Sequence, residues 1–224
     1  MNSALNTRLT NIFQLLLARF GPQNWWPAET PFEIIIGAIL TQSTGWTSVE
    51  KAIANLKEAG CLAPSALRAT SHDELAIIIR PSGYFNAKST KLQAFCNWLL
   101  DNYADNLKNL LAQDTPELRH QLLSIYGIGE ETADSIILYA AYKPVFVIDS
   151  YTKKICSRLG IVPKNDSYQA WQKIFMDSLP HDTTIFNEYH ALLVRLGKDF
   201  CRKKPACESC ALNDLCRYAN PQKP

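Results

Sequence analysis

Four cysteines crowd into 16 residues near the C-terminal end, as Cys201-x5-Cys207-x2-Cys210-x5-Cys216. Four thiolates at these spacings can close a tetrahedral zinc site or hold an iron–sulfur cluster, and on spacing alone zinc comes first. The other three cysteines, Cys61, Cys96 and Cys156, are scattered in apolar contexts and read as small core residues. With no export signal in the sequence, the cluster reads as a metal site rather than a disulfide framework.

The segment of residues 122–133, LLSIYGIGEETA, holds two glycines, Gly127 and Gly129, followed by a helix start near Glu130. Such a turn presents backbone N–H groups and a helix dipole that suit a phosphate oxygen, a contact that positions a ligand without reading sequence. The same spacing also describes a plain αα-hairpin. Twenty residues beyond Gly129 stands Asp149, in VIDSYTKK. Taken alone it is a helix N-cap; a carboxylate at a helix start can also do catalysis. Three of the five tryptophans fall in two short stretches, Asn24-Trp25-Trp26-Pro27 and Thr41-Gln42-Ser43-Thr44-Gly45-Trp46. They offer flat stacking faces or ordinary core packing.

The elements that must hold these residues read as helices. Residues 7–20 are amphipathic and stop at Gly21. Thr30, Pro31 and Glu33 form an N-cap, a first-turn proline and a capping-box acid for a helix through Leu40. Thr47 with Glu50 and Ser71 with Glu74 repeat that spacing, and Gly60 suits a helix C-terminus. Further helices are predicted over 87–103, from Thr115-Pro116 to Ile125, and from the glycine hairpin through Ala141. Asp149, Ser167 and Thr183 or Thr184 cap three more. Only residues 144–148 alternate like a strand, too few for a sheet, so the fold class is all-α.

The 224-residue chain is 47% hydrophobic and 20% charged, which excludes disordered and collagen-like classes. Its longest uncharged apolar run, residues 34–40, is too short for a bilayer, so the expectation is a cytoplasmic protein without a membrane partner. Residues 195–224 carry seven Lys/Arg against three Asp/Glu, leaving the body slightly acidic beneath a formal net charge of +2. That asymmetry points to a local anion-binding face.

The hairpin, the aspartate twenty residues on and the terminal cysteines together resemble the endonuclease III-like branch of the helix-hairpin-helix (HhH-GPD) DNA glycosylases. The likeness runs from Pro31 to Cys216. Trp-Trp-Pro, Thr-Gln-x-Thr followed by an aromatic, Arg80-Pro81-Ser82-Gly83-Tyr84-Phe85-Asn86 and Gly-Ile-Gly-x-Glu-x-Ala-Asp are similar to the 3-methyladenine DNA glycosylases of that family.

The resemblance implies a base-excision-repair enzyme that flips a damaged base from double-stranded DNA and cleaves its N-glycosidic bond. Asp149 would be catalytic. Trp25 and Trp46 would sandwich the base with Glu131 beside it. Gln42 would fill the gap in the duplex and Tyr84 would wedge next to it. Gly127, Gly129, Thr132, Arg202, Lys203 and Lys204 would hold the backbone. The cysteines would bind a [4Fe–4S] cluster in place of zinc, although the loop after Cys201 is one residue shorter than the family's. A monovalent cation at the hairpin carbonyls is also implied.

Two lobes are expected: residues 31–142 with the wedge and hairpin, and residues 1–30 with 143–224 carrying Asp149 and the cluster. A monomer is expected, nucleoid-associated in a prokaryote, with an abasic-site endonuclease acting downstream. One departure bears on mechanism. The family's lyase lysine is replaced by Glu131, which has no amine for a Schiff base. A monofunctional glycosylase for alkylated purines is therefore the first reading. A bifunctional glycosylase/lyase for oxidised pyrimidines is an alternative, as is a non-enzymatic DNA-structure binding protein.

Overall fold

The computed structural model describes residues 3–222. Its elements are α1 Ser3–Phe20, α2 Pro31–Leu40, α3 Trp46–Glu58, α4 Pro64–Ala69, α5 His72–Ile78, α6 Phe85–Tyr103, α7 Leu107–Ala112, α8 Thr115–Ser124, α9 Glu130–Ser135, α10 Ser150–Leu159, α11 Tyr168–Met176 and α12 Thr183–Asp199. Short 3-10 turns and a π-helical segment, Ile136–Ala140, complete them. The described residues contain no strand, as an all-α chain requires. They divide into two units: Trp26–Lys143, and the residues up to Trp25 together with those from Pro144 onward.

In the unit Trp26–Lys143, α2 is apolar nearly all round, and Phe32, Ile35, Ile36, Ile39 and Leu40 are buried. Such a helix belongs at the centre of a core, and α2 packs against α3, α6, α9 and the π segment. Thr30 accepts from the Glu33 N–H at 3.1 Å, while the Glu33 carboxylate accepts from the N–H of Glu29, one residue before the cap, at 3.1 Å, in place of the Thr30 N–H that a capping box would use. Helices α8 and α9, on either side of the glycine turn, are tied by Arg119, which donates to Asp134 at 2.8 Å and to Glu130 at 3.3 Å.

The other unit is built on an aromatic cluster. Phe146 stacks on Phe175 at 3.9 Å and meets Phe186 and Tyr189 edge-on at 5.4 and 5.8 Å. Phe146 lies in the strand-like run 144–148, two of whose backbone groups are held by side chains. Gln172 Nε2 donates to the Phe146 carbonyl at 2.8 Å, and the Ile148 N–H donates to the Tyr168 hydroxyl at 3.2 Å. This anchored run delivers Asp149 to the start of α10. Cys96 and Cys156 are core residues, their thiols pushed up to about 12 by burial.

Two caps lie elsewhere than the spacing suggests. Helix α3 starts at Trp46 with Gly45 as N-cap, so Thr47 lies inside the first turn and caps nothing. Helix α12 is capped by Asp182, which accepts from the Ile185 N–H at 2.9 Å. A carboxylate one residue upstream is a stronger acceptor than the hydroxyls of Thr183 and Thr184. Helices α4 and α7, six residues each, are too short for the periodicity to announce.

Close packing of α10 on α12 depends on one glycine. A Cβ at Gly197 would meet Tyr151 Cδ1 at 2.3 Å and Tyr151 Cβ at 2.8 Å. The contact reaches the root of the tyrosine side chain, which cannot swing aside. Gly197→Ala is expected to lower stability by about 1–3 kcal/mol through overpacking, read as an earlier midpoint in chemical denaturation.

Candidate functional site

Asp149 does begin α10 as its N-cap, with Oδ1 accepting from the Thr152 N–H at 2.7 Å. The second oxygen, Oδ2, lies 3.9 Å from His190 Nε2 of α12, and both side chains are largely buried. Burial pulls the His190 pKa below the ordinary histidine range against the opposing charge of Asp149, which favours a neutral imidazole. One carboxylate oxygen is thus spent on the helix terminus, while the other can face a developing positive charge. His190 escaped the sequence reading because nothing in sequence links positions 149 and 190. The histidine on the apolar face of α12 was the available signal.

The same unit holds the four terminal cysteines, which line one cavity of ≈ 30 Å³ with Arg158, Phe200, Asn213 and Tyr218. Arg158 Nη1 donates to Cys201 Sγ at 3.1 Å and to the Arg202 carbonyl at 3.0 Å. The Leu212 N–H donates to Cys210 Sγ at 3.4 Å. Burial pushes the Cys210 thiol above its ordinary range, and the charges of Cys201, Cys216 and Cys207 act the same way. Sulfur donors that repel one another and accept N–H groups fit a bound cationic group. Among the described residues no three His, Cys, Asp or Glu side chains converge on a point that would suit a single ion. Arg158 belongs to α10, so one helix carries Asp149 at its start and meets the cysteine loop near its end. Arg202, Lys203 and Lys204 are exposed on that loop, and Trp25, half-buried, also belongs to this unit.

In the unit Trp26–Lys143 the hairpin follows the end of α8. Gly127 takes φ +83°, the left-handed region, and Gly129 is the exposed N-cap of α9. Gln42 is hydrogen-bonded into this turn: Nε2 donates to the Gly127 carbonyl at 2.9 Å and to Thr132 Oγ1 at 3.0 Å. Lys91 Nζ donates to Gln42 Oε1, and the lysine stem lies against Gly127. Gln42, Gly127 and Thr132, singled out separately from sequence, form one network, to which the structure adds Lys91. Glu131 is exposed in the first turn of α9. Tyr84 is 74% exposed at φ +46°, directly after Gly83 at φ +64°.

Trp46 meets Trp26 edge-to-face at 5.2 Å, and Trp26 lies 5.3 Å from the Tyr139 ring of the π segment. Gly37 permits this, since a Cβ there would stand 3.1 Å from the Trp26 ring. An open cleft of ≈ 200 Å³ runs beside the pair, bordered by Trp26, Pro27, Trp46, Glu33, Glu50 and Lys57. Lys57 bridges Glu33 at 3.0 Å and Glu29 at 2.9 Å. Within this unit Trp46 therefore packs against Trp26.

Comparison with known proteins identifies this set of parts. The family model described as HhH-GPD superfamily base excision DNA repair protein matches residues 36–181. The chain is 44% identical to a candidate DNA repair glycosylase of Methanocaldococcus jannaschii, over 92% of this chain and 94% of the relative. It is 26% identical to endonuclease III of Escherichia coli over 85% of each chain. Among solved structures it is similar to the H. pylori 3-methyladenine DNA glycosylase bound to 1,N6-ethenoadenine, with TM-score 0.75, 27% identity, and 87% of this chain and 97% of the other covered. An endonuclease III–DNA complex shares the fold at TM-score 0.82 and 24% identity, covering 96% and 97%. No helix of the described residues is long and apolar enough to cross a membrane.

The two hairpin glycines differ in what they require. An alanine at Gly127 must adopt φ +83° and displace the Lys91 stem, whereas at Gly129 φ is −96° and nothing lies within 4 Å of a Cβ. Gly127→Ala is expected to cost about 1–2 kcal/mol in stability. It should also weaken affinity for all duplex sequences alike in fluorescence anisotropy. Gly129→Ala should lose only the N-cap preference of glycine.

Proposed function

The chain belongs to the HhH-GPD superfamily of base excision DNA repair proteins, and within it we propose a monofunctional glycosylase that releases N-alkylated purines such as 3-methyladenine. It is a base excision repair DNA glycosylase and binds DNA. The observation that carries the finer reading is Glu131, a carboxylate where the endonuclease III-like pattern has its lyase lysine. A carboxylate cannot form the Schiff base that precedes strand cleavage. Water is then the nucleophile at C1′.

The chemistry fits an alkylated purine. Its base is cationic, its bond to the sugar is already weakened, and it departs as a neutral molecule taking the C1′–N electron pair. The sugar is left as an oxocarbenium-like cation. Asp149, with Oδ1 held by the Thr152 N–H, offers Oδ2 to that cation and to the incoming water, whose proton it can accept. Trp25 and Trp46 would hold the base, and a cation over a desolvated indole gains about 2 kcal/mol or more. Glu131 adds negative potential. The likeness to the H. pylori enzyme supports the same substrate class.

Gln42 and Tyr84 would enter the duplex, Gln42 where the base has left and Tyr84 beside it. Gly127, Gly129, Thr132, Arg202, Lys203 and Lys204 would meet phosphates, with room for a monovalent cation at the hairpin carbonyls. Cys201, Cys207, Cys210 and Cys216 would hold a [4Fe–4S] cluster that supplies a structural cross-link. Thiols spread around a common cavity suit a multi-atom cluster better than one zinc ion. The likeness to endonuclease III favours one rival, a bifunctional enzyme for oxidised pyrimidines.

The deciding assay is release of free base from methylated duplex DNA, with strand breaks scored before and after alkali. Released 3-methyladenine, with breaks only after alkali, is expected. Nicking of thymine-glycol DNA without alkali, with a borohydride-trapped adduct, would establish the rival. Asp149→Asn is expected to lower single-turnover excision by about a hundredfold or more while DNA affinity is kept; equal rates would remove Asp149 from the reaction. Purified protein is expected to be brown, absorbing near ~410 nm as thiolate-bound iron–sulfur centres do. Colourless protein with stoichiometric zinc would replace the cluster.

A further inference from the structure

Lys88 of α6 is 2% exposed, yet it carries an ammonium group into the core. Its Nζ donates to the Leu40 carbonyl at 2.8 Å, to Thr44 Oγ1 at 2.7 Å and to the Ser82 carbonyl at 2.7 Å. Three protons meet three acceptors, which is what a buried ammonium needs. Burial, and then the charge of Lys91, lowers its pKa to about 8, so the group is mainly charged at neutral pH.

The acceptors sit at informative places. Leu40 ends α2. Thr44 lies two residues after Gln42, and Ser82 two residues before Tyr84. Thr44 Oγ1 also donates to the Ser82 carbonyl, so the two loops are joined to each other as well as to Lys88. Each loop holds a non-glycine residue at positive φ, Ser43 at +53° and Tyr84 at +46°. Such backbone persists only where its surroundings over-determine it. The bonds from Lys88 to the loops end on the Thr44 hydroxyl and the Ser82 carbonyl, not on the Gln42 or Tyr84 side chains. Gln42 can exchange its partners at Gly127 and Thr132 for a duplex while its loop stays anchored.

We propose that Lys88 is a positioning residue that joins the Gln42 loop and the Tyr84 turn into one rigid blade, so that both side chains enter the duplex together. This role is separate from the hairpin's grip on the backbone, and it rests on the reading of Gln42 and Tyr84 as inserting residues. Lys88 thereby governs discrimination of a vacant or unpaired site from intact duplex, not affinity for duplex in general.

The test compares affinity for an undamaged duplex with affinity for the same duplex carrying a tetrahydrofuran abasic analogue, by fluorescence anisotropy. The variants are Lys88→Met, Thr44→Val, Gln42→Ala and Tyr84→Ala. Lys88→Met is expected to keep affinity for undamaged duplex within about threefold while its preference for the analogue falls about tenfold, the scale of a lost buried hydrogen bond. Thr44→Val should show a smaller loss of preference, out of proportion to a melting temperature lowered less than in Lys88→Met. If Lys88→Met does not fold, Thr44→Val decides: unchanged preference overturns the proposal and reduced preference supports it. Equal loss of both affinities, in step with a lower melting temperature, assigns Lys88 a purely structural role and overturns the proposal. Lost preference in Gln42→Ala and Tyr84→Ala but not in Lys88→Met overturns the role of Lys88 alone. If no variant changes the preference, the insertion reading fails and the proposal falls with it.

Discussion

The candidate site at the start of α10 depends on how one carboxylate divides its two oxygens. A helix start leaves N–H groups that need acceptors, and α10 obtains one from Asp149 Oδ1. The bond fixes the side-chain torsions and so fixes Oδ2. The capping bond and the placement of the second oxygen, which the proposed mechanism uses, are therefore one arrangement, and the carboxylate is largely buried. Its support is built outward from there. The run 144–148 is clamped in an aromatic cluster on one side of Asp149, and Gly197 allows α12 to approach Tyr151 on the other. His190 reaches the aspartate from that same helix.

The candidate DNA-binding loops of the unit Trp26–Lys143 are organised by hydrogen bonds between loops rather than by any long element. Gln42 joins the loop after α2 to the hairpin, Lys88 joins that loop to the turn before α6, and Arg119 closes the hairpin from α8 to α9. These loops owe their shape to polar groups with few alternative partners, which suits side chains that must meet a helix of fixed dimensions.

How much of this was legible in the sequence followed from how local each interaction is. The N-caps at Thr30, Ser71, Asp149 and Ser167, the helix end at Gly60 and the glycine turn at 127 are set within a few residues, and they were readable. Thr47 and Thr183 or Thr184 misled because a neighbouring residue competed for the cap at one or two positions' distance. Among candidate site residues, the hairpin glycines stood out by type and spacing, whereas Thr132 and Gln42 were named through the family resemblance. Their shared network was not legible, because it spans residues 42 to 132. Lys88, Lys91 and Arg158 carry no local signature at all, and His190 has only its place on the apolar face of α12. Each acts through a partner dozens of residues away, and a lysine inside a helical pattern reads as a solvated charge until its acceptors are seen.

The aromatic-clamped run has a consequence for solubility. Residues 144–148, PVFVI, are uncharged and rich in residues that favour extended backbone. Such a segment, bared in a partly opened chain, is a template for cross-β association. In the fold Gln172 and Tyr168 of α11 take the Phe146 carbonyl and the Ile148 N–H, and four of the segment's five side chains are buried. Lys143 and Pro144 guard one end and Asp149 the other, in the manner of gatekeepers. Helix α11 therefore acts as an intramolecular chaperone for the residues that lead into Asp149. Damage to it would be felt as aggregation before any change at the carboxylate itself.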